Sequence, residues 1–135
     1  MEIKCPLKCL DASIEELATT DPTFCLHHDP EDGRLRLKES HNYYYQIQGQ
    51  LHCAKRLDHI YRAVSQGLNC RSKCVFFLWS PTEYHMETIT YDPEFWADLQ
   101  ESLTSFYLDC VLPEIVDPRA PRGMKIREPE HLDHV

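Results

Sequence analysis

The longest apolar run of the chain, Cys-Val-Phe-Phe-Leu-Trp at residues 74–79, constrains the fold more than any other segment. Six residues suit a strand and are too few for an ordinary helix, and a run without polar alternation is typical of a strand buried on both faces. After Ser-Pro-Thr at 80–82, residues 83–90 are rich in β-formers and predict a second strand that pairs back onto the first. The sequence therefore predicts a sheet at the centre of the protein.

The remaining elements follow from local patterns and predict an α/β protein. Three short elements are expected before residue 40: a strand at 1–5 that ends at Pro6, a helix capped by Ser13 and Glu16, and a hairpin of strands 24–28 and 34–38 that turns at Asp32-Gly33. Two longer helices are expected, one from Ser40 with the apolar stripe Tyr43, Ile47, Leu51 and Ala54, and one that starts at Asp92-Pro93 and ends at Pro113. The buried face of the second of these helices is expected at Phe95, Leu99, Leu103, Phe106 and Cys110.

Composition limits the class of protein. A chain of 135 residues with 42% hydrophobic residues has the size of one domain, and no stretch has the roughly 18 apolar residues of a membrane span. The N-terminus lacks the apolar core of a secretory signal, so we expect an intracellular protein without membrane partners. The seven cysteines are odd in number and irregularly spaced, which favours reduced thiols over disulfides.

The net charge of −8 opposes binding of nucleic acid through bulk electrostatics. The charge is uneven, however, because residues 1–74 carry ten Lys or Arg and ten Asp or Glu, whereas residues 75–135 carry four and twelve. The first part therefore has the residues for a basic face: Lys4, Lys8, Arg34, Arg36, Lys38, Lys55 and Arg56. An ordinary solvated surface explains the same charges.

Two segments carry residues suited to phosphate and metal chemistry. Glu2 and Lys4 alternate along the first predicted strand and so lie on one face, where a carboxylate can bind a hard divalent cation and an ammonium can steady a water or a phosphate oxygen. Gln46 and Gln50 lie one turn apart on the helix that begins near Ser40, where amides can donate hydrogen bonds without adding charge. Either segment alone is also explained by a solvated strand face or a polar helix border.

The order of segments in the chain resembles the YqaJ-type viral recombinase domain, which is related to lambda exonuclease within the PD-(D/E)xK nucleases. The segments that carry the resemblance are 2–6, 42–52, 75–82, 91–96 and 106–117. The resemblance implies a restriction-endonuclease-like mixed sheet flanked by helices and a partial domain over residues 1–116. It also implies Mg²⁺- or Mn²⁺-dependent hydrolysis of DNA phosphodiesters, with DNA as the partner. Beyond Val116, three prolines and scattered charges leave too little apolar surface to offset the entropy of ordering, so we expect a disordered tail over 117–135.

The resemblance also assigns roles to individual residues. Glu2 matches the metal-binding carboxylate of the E-x-K strand, the backbone carbonyl of Ile3 also faces the metal, and Lys4 matches the catalytic lysine. Gln46 matches the catalytic glutamine of the downstream helix motif, and Gln50 is its neighbour. Lys8, Tyr45 and Gln50 are the expected substrate-binding residues.

Two departures from the family pattern predict that the isolated chain is inactive. The family's aspartate on the strand before E-x-K, and an acidic residue on an earlier helix, have no counterpart here, so the domain is interpreted as truncated at its N-terminus. Because Mg²⁺ seeks near-octahedral oxygen coordination, a site with Glu2 alone should bind it weakly. Residues 57–73 form a probable insertion relative to the family, either an extension of the helix or an error in the gene structure.

Two alternatives stay open. Cys5, Cys9, Cys25, His27 and His28, with Cys70 and Cys74, offer ligands for a structural zinc ion, although neither cysteine pair has the usual C-x2-C spacing. The other alternative is a non-catalytic remnant that binds DNA or a protein partner. Oligomeric state is not indicated by any pattern in the sequence.

Overall fold

The computed structural model of the protein describes residues 1–62 and 72–128. Within them the chain is mixed α/β and forms two compact units, Met1–Asp92 and Pro93–Val135. The first unit contains, in chain order, strand β1 (Glu2–Lys4), helix α1 (Ile14–Thr20), strands β2 (Leu26–His28) and β3 (Leu35–Leu37), helix α2 (Asn42–Arg62) and strands β4 (Lys73–Trp79) and β5 (Tyr84–Thr90).

The central sheet has the order β1-β4-β5, with β1 parallel and β5 antiparallel to β4. The predicted strand pair is therefore confirmed, and the sheet is mixed. In the register of β1 and β4, Glu2 lies beside Phe76 and Lys4 beside Leu78. Since paired residues point to the same face, both charged side chains lie on the face that carries the fully buried Phe76 and Leu78.

The two faces of the sheet differ, which corrects the expectation that β4 is buried on both. Phe76 and Leu78 are fully buried, whereas Trp79 keeps 45% of its surface exposed. Next to it on β5, Tyr84 is 66% exposed and stacks on Phe77 with ring centroids 5.4 Å apart. The apolar run therefore fills one core layer and leaves aromatic surface on the other side.

Helix α2 covers the buried face of the sheet. Its buried residues, Tyr44, Ile47, Gln48 and Leu51, recur at spacings of three and four, close to the stripe predicted from the sequence. Residues 57–62 continue this helix, which agrees with one of the two interpretations of the predicted insertion at 57–73, an extension of the helix. Residues 63–71 of that segment lie outside the described residues.

Short elements of the first unit contact the same face of the sheet, where the Leu37 backbone N–H donates to Glu87, the β5 neighbour of Phe76. Ser13 caps α1 by accepting a hydrogen bond from the Glu16 backbone N–H at 3.1 Å, as the capping pattern predicted. Strands β2 and β3 form the predicted antiparallel hairpin. Gly33 in its loop has φ of +70°, a conformation that glycine adopts without steric cost.

The second unit is helical. Helix α3 (Pro93–Phe106) begins at the predicted cap, but the expectation that Pro113 ends it is wrong. A π-helical segment at Tyr107–Val111 continues into helix α4 (Leu112–Val116), so the wider turn shifts the hydrogen-bond register just before a proline that cannot donate.

The predicted apolar face of α3 is only partly covered. Leu103 and Phe106 are 47% and 44% exposed, and Cys110 alone of the five predicted residues is buried. A 3-10 turn at Ala120–Arg122 follows, and Arg127 pairs with Glu114 at 2.9 Å. Disorder of the tail and the 1–116 boundary stay predictions, and residues 129–135 lie outside the described part.

Candidate active site

Strand β1 and helix α2 bring four predicted polar side chains together. The Gln46 amide donates to the Glu2 carboxylate at 3.0 Å, and the Gln50 amide donates to its other oxygen at 3.1 Å. The Lys4 ammonium completes the set, 2.9 Å from Glu2 and 2.8 Å from the Gln46 carbonyl oxygen. We refer to Glu2, Lys4, Gln46 and Gln50 as the β1–α2 cluster.

The secondary structure dictates this convergence. Residues two apart in a strand share a face, and residues four apart in a helix share a side. The parallel pairing of β1 with β4 turns Glu2 and Lys4 towards the layer occupied by α2, whose glutamines lie on the flank of the helix nearest β1. Glu2 and Lys4 therefore share a face, as strand alternation predicted, and the amides of Gln46 and Gln50 are directed towards Glu2.

The charged pair of the cluster is half-buried and internally neutralised, whereas its two glutamines are exposed. The Glu2 and Lys4 side chains are 18% and 19% exposed. The hydrogen bond from Lys4, with those from Gln50 and Gln46, holds the pKa of the Glu2 carboxyl below its ordinary value despite partial burial. Glu2 is therefore ionised at neutral pH, and the Lys4 charge lies directly against it.

Tyr43 adds a contact that the sequence argument did not assign. Its ring lies under the Lys4 ammonium, which is 4.6 Å from the ring centroid, in the geometry of a cation–π interaction. Tyr43 precedes Gln46 by three residues and so shares its side of α2, a spacing that identifies it as a candidate partner.

The other predicted residues are placed differently. Ile3 lies between Glu2 and Lys4 with its side chain on the opposite face, 52% exposed, and its carbonyl as a metal ligand stays a prediction. Lys8 instead binds Asp21 at 2.6 Å, and Tyr45 is on another side of α2, 40% exposed. Substrate binding by Lys8 and Tyr45 is untested, and neither joins the hydrogen bonds of the cluster described above.

Of the predicted basic face, the side chains of Lys55 and Arg56 lie outside those that the structure describes, and four of the other five lie against carboxylates. Arg36 lies against Asp29 and 2.9 Å from Asp32, and Arg34 is 3.7 Å from Asp32. Lys38 donates to the Pro22 carbonyl at 2.8 Å. The positive charges of this region are therefore mostly compensated within the protein.

Sequence reasoning missed Gln48, which is fully buried in α2. Its amide donates to the Thr90 carbonyl at 3.0 Å, and its carbonyl oxygen accepts from the Asp92 N–H at 2.9 Å. These bonds tie α2 to the end of β5, while Gln46 and Gln50 tie it to β1. The sequence does carry a signal for the burial of Gln48. It lies four residues after Tyr44 and three before Leu51, so it belongs to the buried stripe of α2.

Within residues 1–62 and 72–128, no three of the His, Cys, Asp or Glu side chains that the structure describes converge to hold an ion; the side chains of residues 55–62 are not among those described. The cysteines proposed for zinc include the buried Cys9 and Cys25, and Cys70 lies outside the described residues. In the same part of the chain, no helix has the length and apolar character to cross a membrane.

Comparison with protein-family models, with curated proteins and with solved structures yields no match to this chain. What the β1–α2 cluster does therefore has to be inferred from its own residues.

Proposed function

We propose that the β1–α2 cluster is the phosphodiester-binding half of a divalent-metal DNA nuclease site. The observation that carries this proposal is the convergence of a carboxylate, an ammonium and two amides from β1 and α2, with every contact at or below 3.1 Å. On this proposal the mixed sheet and α2 are the C-terminal part of a restriction-endonuclease-like domain of the YqaJ and lambda-exonuclease type.

The residues suit the steps of phosphodiester hydrolysis. The Lys4 ammonium and the amide N–H groups of Gln46 and Gln50 can bind and orient phosphate oxygens or the attacking water, since all are hydrogen-bond donors. Glu2 offers the hard oxygen ligand that Mg²⁺ or Mn²⁺ prefers. A bound ion would neutralise charge on the phosphate and lower the pKa of its water.

The carboxylate of the cluster is the kind of ligand that such an ion prefers, but the cluster offers too few of these ligands. Glu2 is the single carboxylate of the cluster, and both of its oxygens already accept hydrogen bonds from Lys4, Gln46 or Gln50. Mg²⁺ needs near-octahedral oxygen ligation, so this half-site should hold it weakly. We infer that cleavage requires a second acidic ligand, supplied by a longer product or by another chain.

A non-catalytic role is the alternative, and two observations favour it. The cluster is closed on itself, with the charge of Lys4 already matched by Glu2. Most of the described residues of the predicted basic face are likewise paired, and the net charge is −8. On this alternative the cluster holds β1 against α2, and the protein binds a partner elsewhere or contacts DNA without cutting it.

Digestion of linear duplex DNA provides the first test. The 135-residue chain alone is expected to release no nucleotides in the presence of Mg²⁺ or Mn²⁺, because one carboxylate does not complete the site. Metal-dependent digestion that Glu2→Ala or Lys4→Ala abolishes would show that the half-site interpretation is wrong and that the cluster is complete.

Adding a carboxylate provides the second test. Glu replacing Gln50 would place a second carboxylate next to Glu2, where the amide now lies 3.1 Å away. We expect Mn²⁺ to bind Gln50→Glu about tenfold more tightly than the parent in calorimetry, because affinity follows the number of charged ligands. The control, Glu2→Gln with Gln50→Glu, has the parent's charge and one carboxylate. Equal gains in both variants, or no gain in either, would count against a cation site at the cluster.

A further inference from the structure

A cavity of about 310 Å³ adjoins the β1–α2 cluster through Tyr43. Its walls come from three segments of the first unit: Pro6, Leu7 and Lys8; Thr23, Phe24 and Cys25; and His41 with Tyr43. The volume falls at the lower end of the roughly 300–1,000 Å³ found for small-molecule sites. Tyr43 belongs to both places, because its ring also lies 4.6 Å from the Lys4 ammonium.

The cavity is apolar and aromatic, and its one lysine is already paired. The Lys8 ammonium lies 2.6 Å from an Asp21 oxygen and donates to the Thr23 hydroxyl at 3.0 Å. The same lysine and Thr23 hold the pKa of the Asp21 carboxyl well below its usual range, so Asp21 is ionised and offsets the charge of the lysine. The walls therefore favour an uncharged, flat group over a phosphate.

His41 lines the cavity, and a backbone hydrogen bond fixes its tautomer. Its Nδ1 accepts from the Tyr43 backbone N–H at 3.1 Å, which places the proton of the neutral ring on Nε2. Burial, with the nearby charge of Lys38, lowers the pKa of His41 and keeps the ring neutral. A planar ligand with an acceptor atom at its edge matches this donor and the ring of Tyr43.

We propose that this cavity binds the base of a nucleotide whose phosphate contacts Lys4 and Gln46. The proposal rests on the proposed function, which supplies the phosphate-binding partner across Tyr43. A nucleotide combines the two features that the two places require, a flat uncharged ring with acceptor atoms and an anionic phosphate. His41 is then a specificity-determining residue, since its donor selects bases by where they present an acceptor.

The test uses the full chain with isotope-labelled His and Tyr rings and three probes: a deoxynucleoside, its 5′-monophosphate and inorganic phosphate. The monophosphate and the deoxynucleoside are expected to shift the His41 and Tyr43 ring signals, and phosphate alone to leave His41 unmoved. His41→Asn keeps an oxygen that can cap α2 but removes the imidazole. The substitution should lower the affinity for the monophosphate by about three- to tenfold, which corresponds to the loss of one hydrogen bond, and should leave the affinity for inorganic phosphate unchanged.

The outcomes separate this proposal from the proposed function. If the deoxynucleoside leaves both ring signals in place, or if His41→Asn binds the monophosphate as tightly as the parent, the base site is wrong. Lys4→Ala tests the phosphate site, because it should weaken binding of the monophosphate and of inorganic phosphate while the deoxynucleoside still shifts the His41 signal. Unchanged phosphate affinity in Lys4→Ala, with His41 still shifted by the deoxynucleoside, would overturn the phosphate assignment and retain the base site.

Discussion

Replacing Gln48 with Met should destabilise the protein more than any other single change of a glutamine in α2. The side chain is fully buried and makes two hydrogen bonds to the backbone at the end of β5, to the Thr90 carbonyl and from the Asp92 N–H. Methionine has a similar length and fills a similar volume, so packing changes little while both bonds are lost.

The magnitude follows from the groups that lose this partner. A buried donor or acceptor deprived of its hydrogen bond costs about 1–3 kcal/mol. Since Gln48 serves one carbonyl and one N–H, we expect a loss of about 2 kcal/mol or more in the free energy of unfolding. With a slope of about 2 kcal/mol per molar urea, the unfolding midpoint should fall by about 1 M.

Urea denaturation followed by far-ultraviolet circular dichroism measures this loss. Gln50→Met is the matched control, the same substitution two residues along the helix at an exposed position, and should cost less than about 1 kcal/mol. If Gln48→Met changes stability by less than about 0.5 kcal/mol, the range of ordinary surface substitutions, then the glutamine does not anchor α2 and the reasoning fails.

Three further predictions concern charge, thiols and a turn. Because the folded pKa of Glu2 is lowered, its contribution to stability should be present above its unfolded pKa of about 4.3 and disappear as the pH falls below it, so parent and Glu2→Gln should converge in urea titrations at acidic pH. Cys5 and Cys53 are exposed and should be alkylated first in native peptide mapping, whereas Cys25, whose pKa burial raises to about 12, should react only on unfolding. Gly33→Ala should cost about 1–2 kcal/mol in thermal unfolding, because φ is +70° there; an unchanged midpoint would contradict this conformation.

Much of the fold could be predicted from local rules. The hairpin at Gly33 and the cap at Ser13 depend on neighbouring residues alone, so sequence was sufficient for them. The facing of Glu2 and Gln46, 44 residues apart in the chain, could be predicted only by joining strand alternation with helix spacing and a family resemblance.

The failures have a common physical origin in tertiary context. Exposure of Trp79 on one side of β4 depends on what covers the sheet, which an apolar run does not encode. The helix continues past Pro113 because a π-helical turn shifts its hydrogen-bond register, and the composition does not indicate such a turn. The pairing of Lys8 with Asp21 likewise required knowing which loops meet.

Strand β1 has consequences for how long the cluster persists in any one molecule. Two of the four cluster residues reside on a strand of three residues that, in the part of the chain described, is joined to the sheet only through β4. Elements with few buried contacts open locally at free energies below that of global unfolding. A ligand held by Lys4 would therefore also fasten this strand, and slower amide hydrogen exchange at Ile3 would report its occupancy.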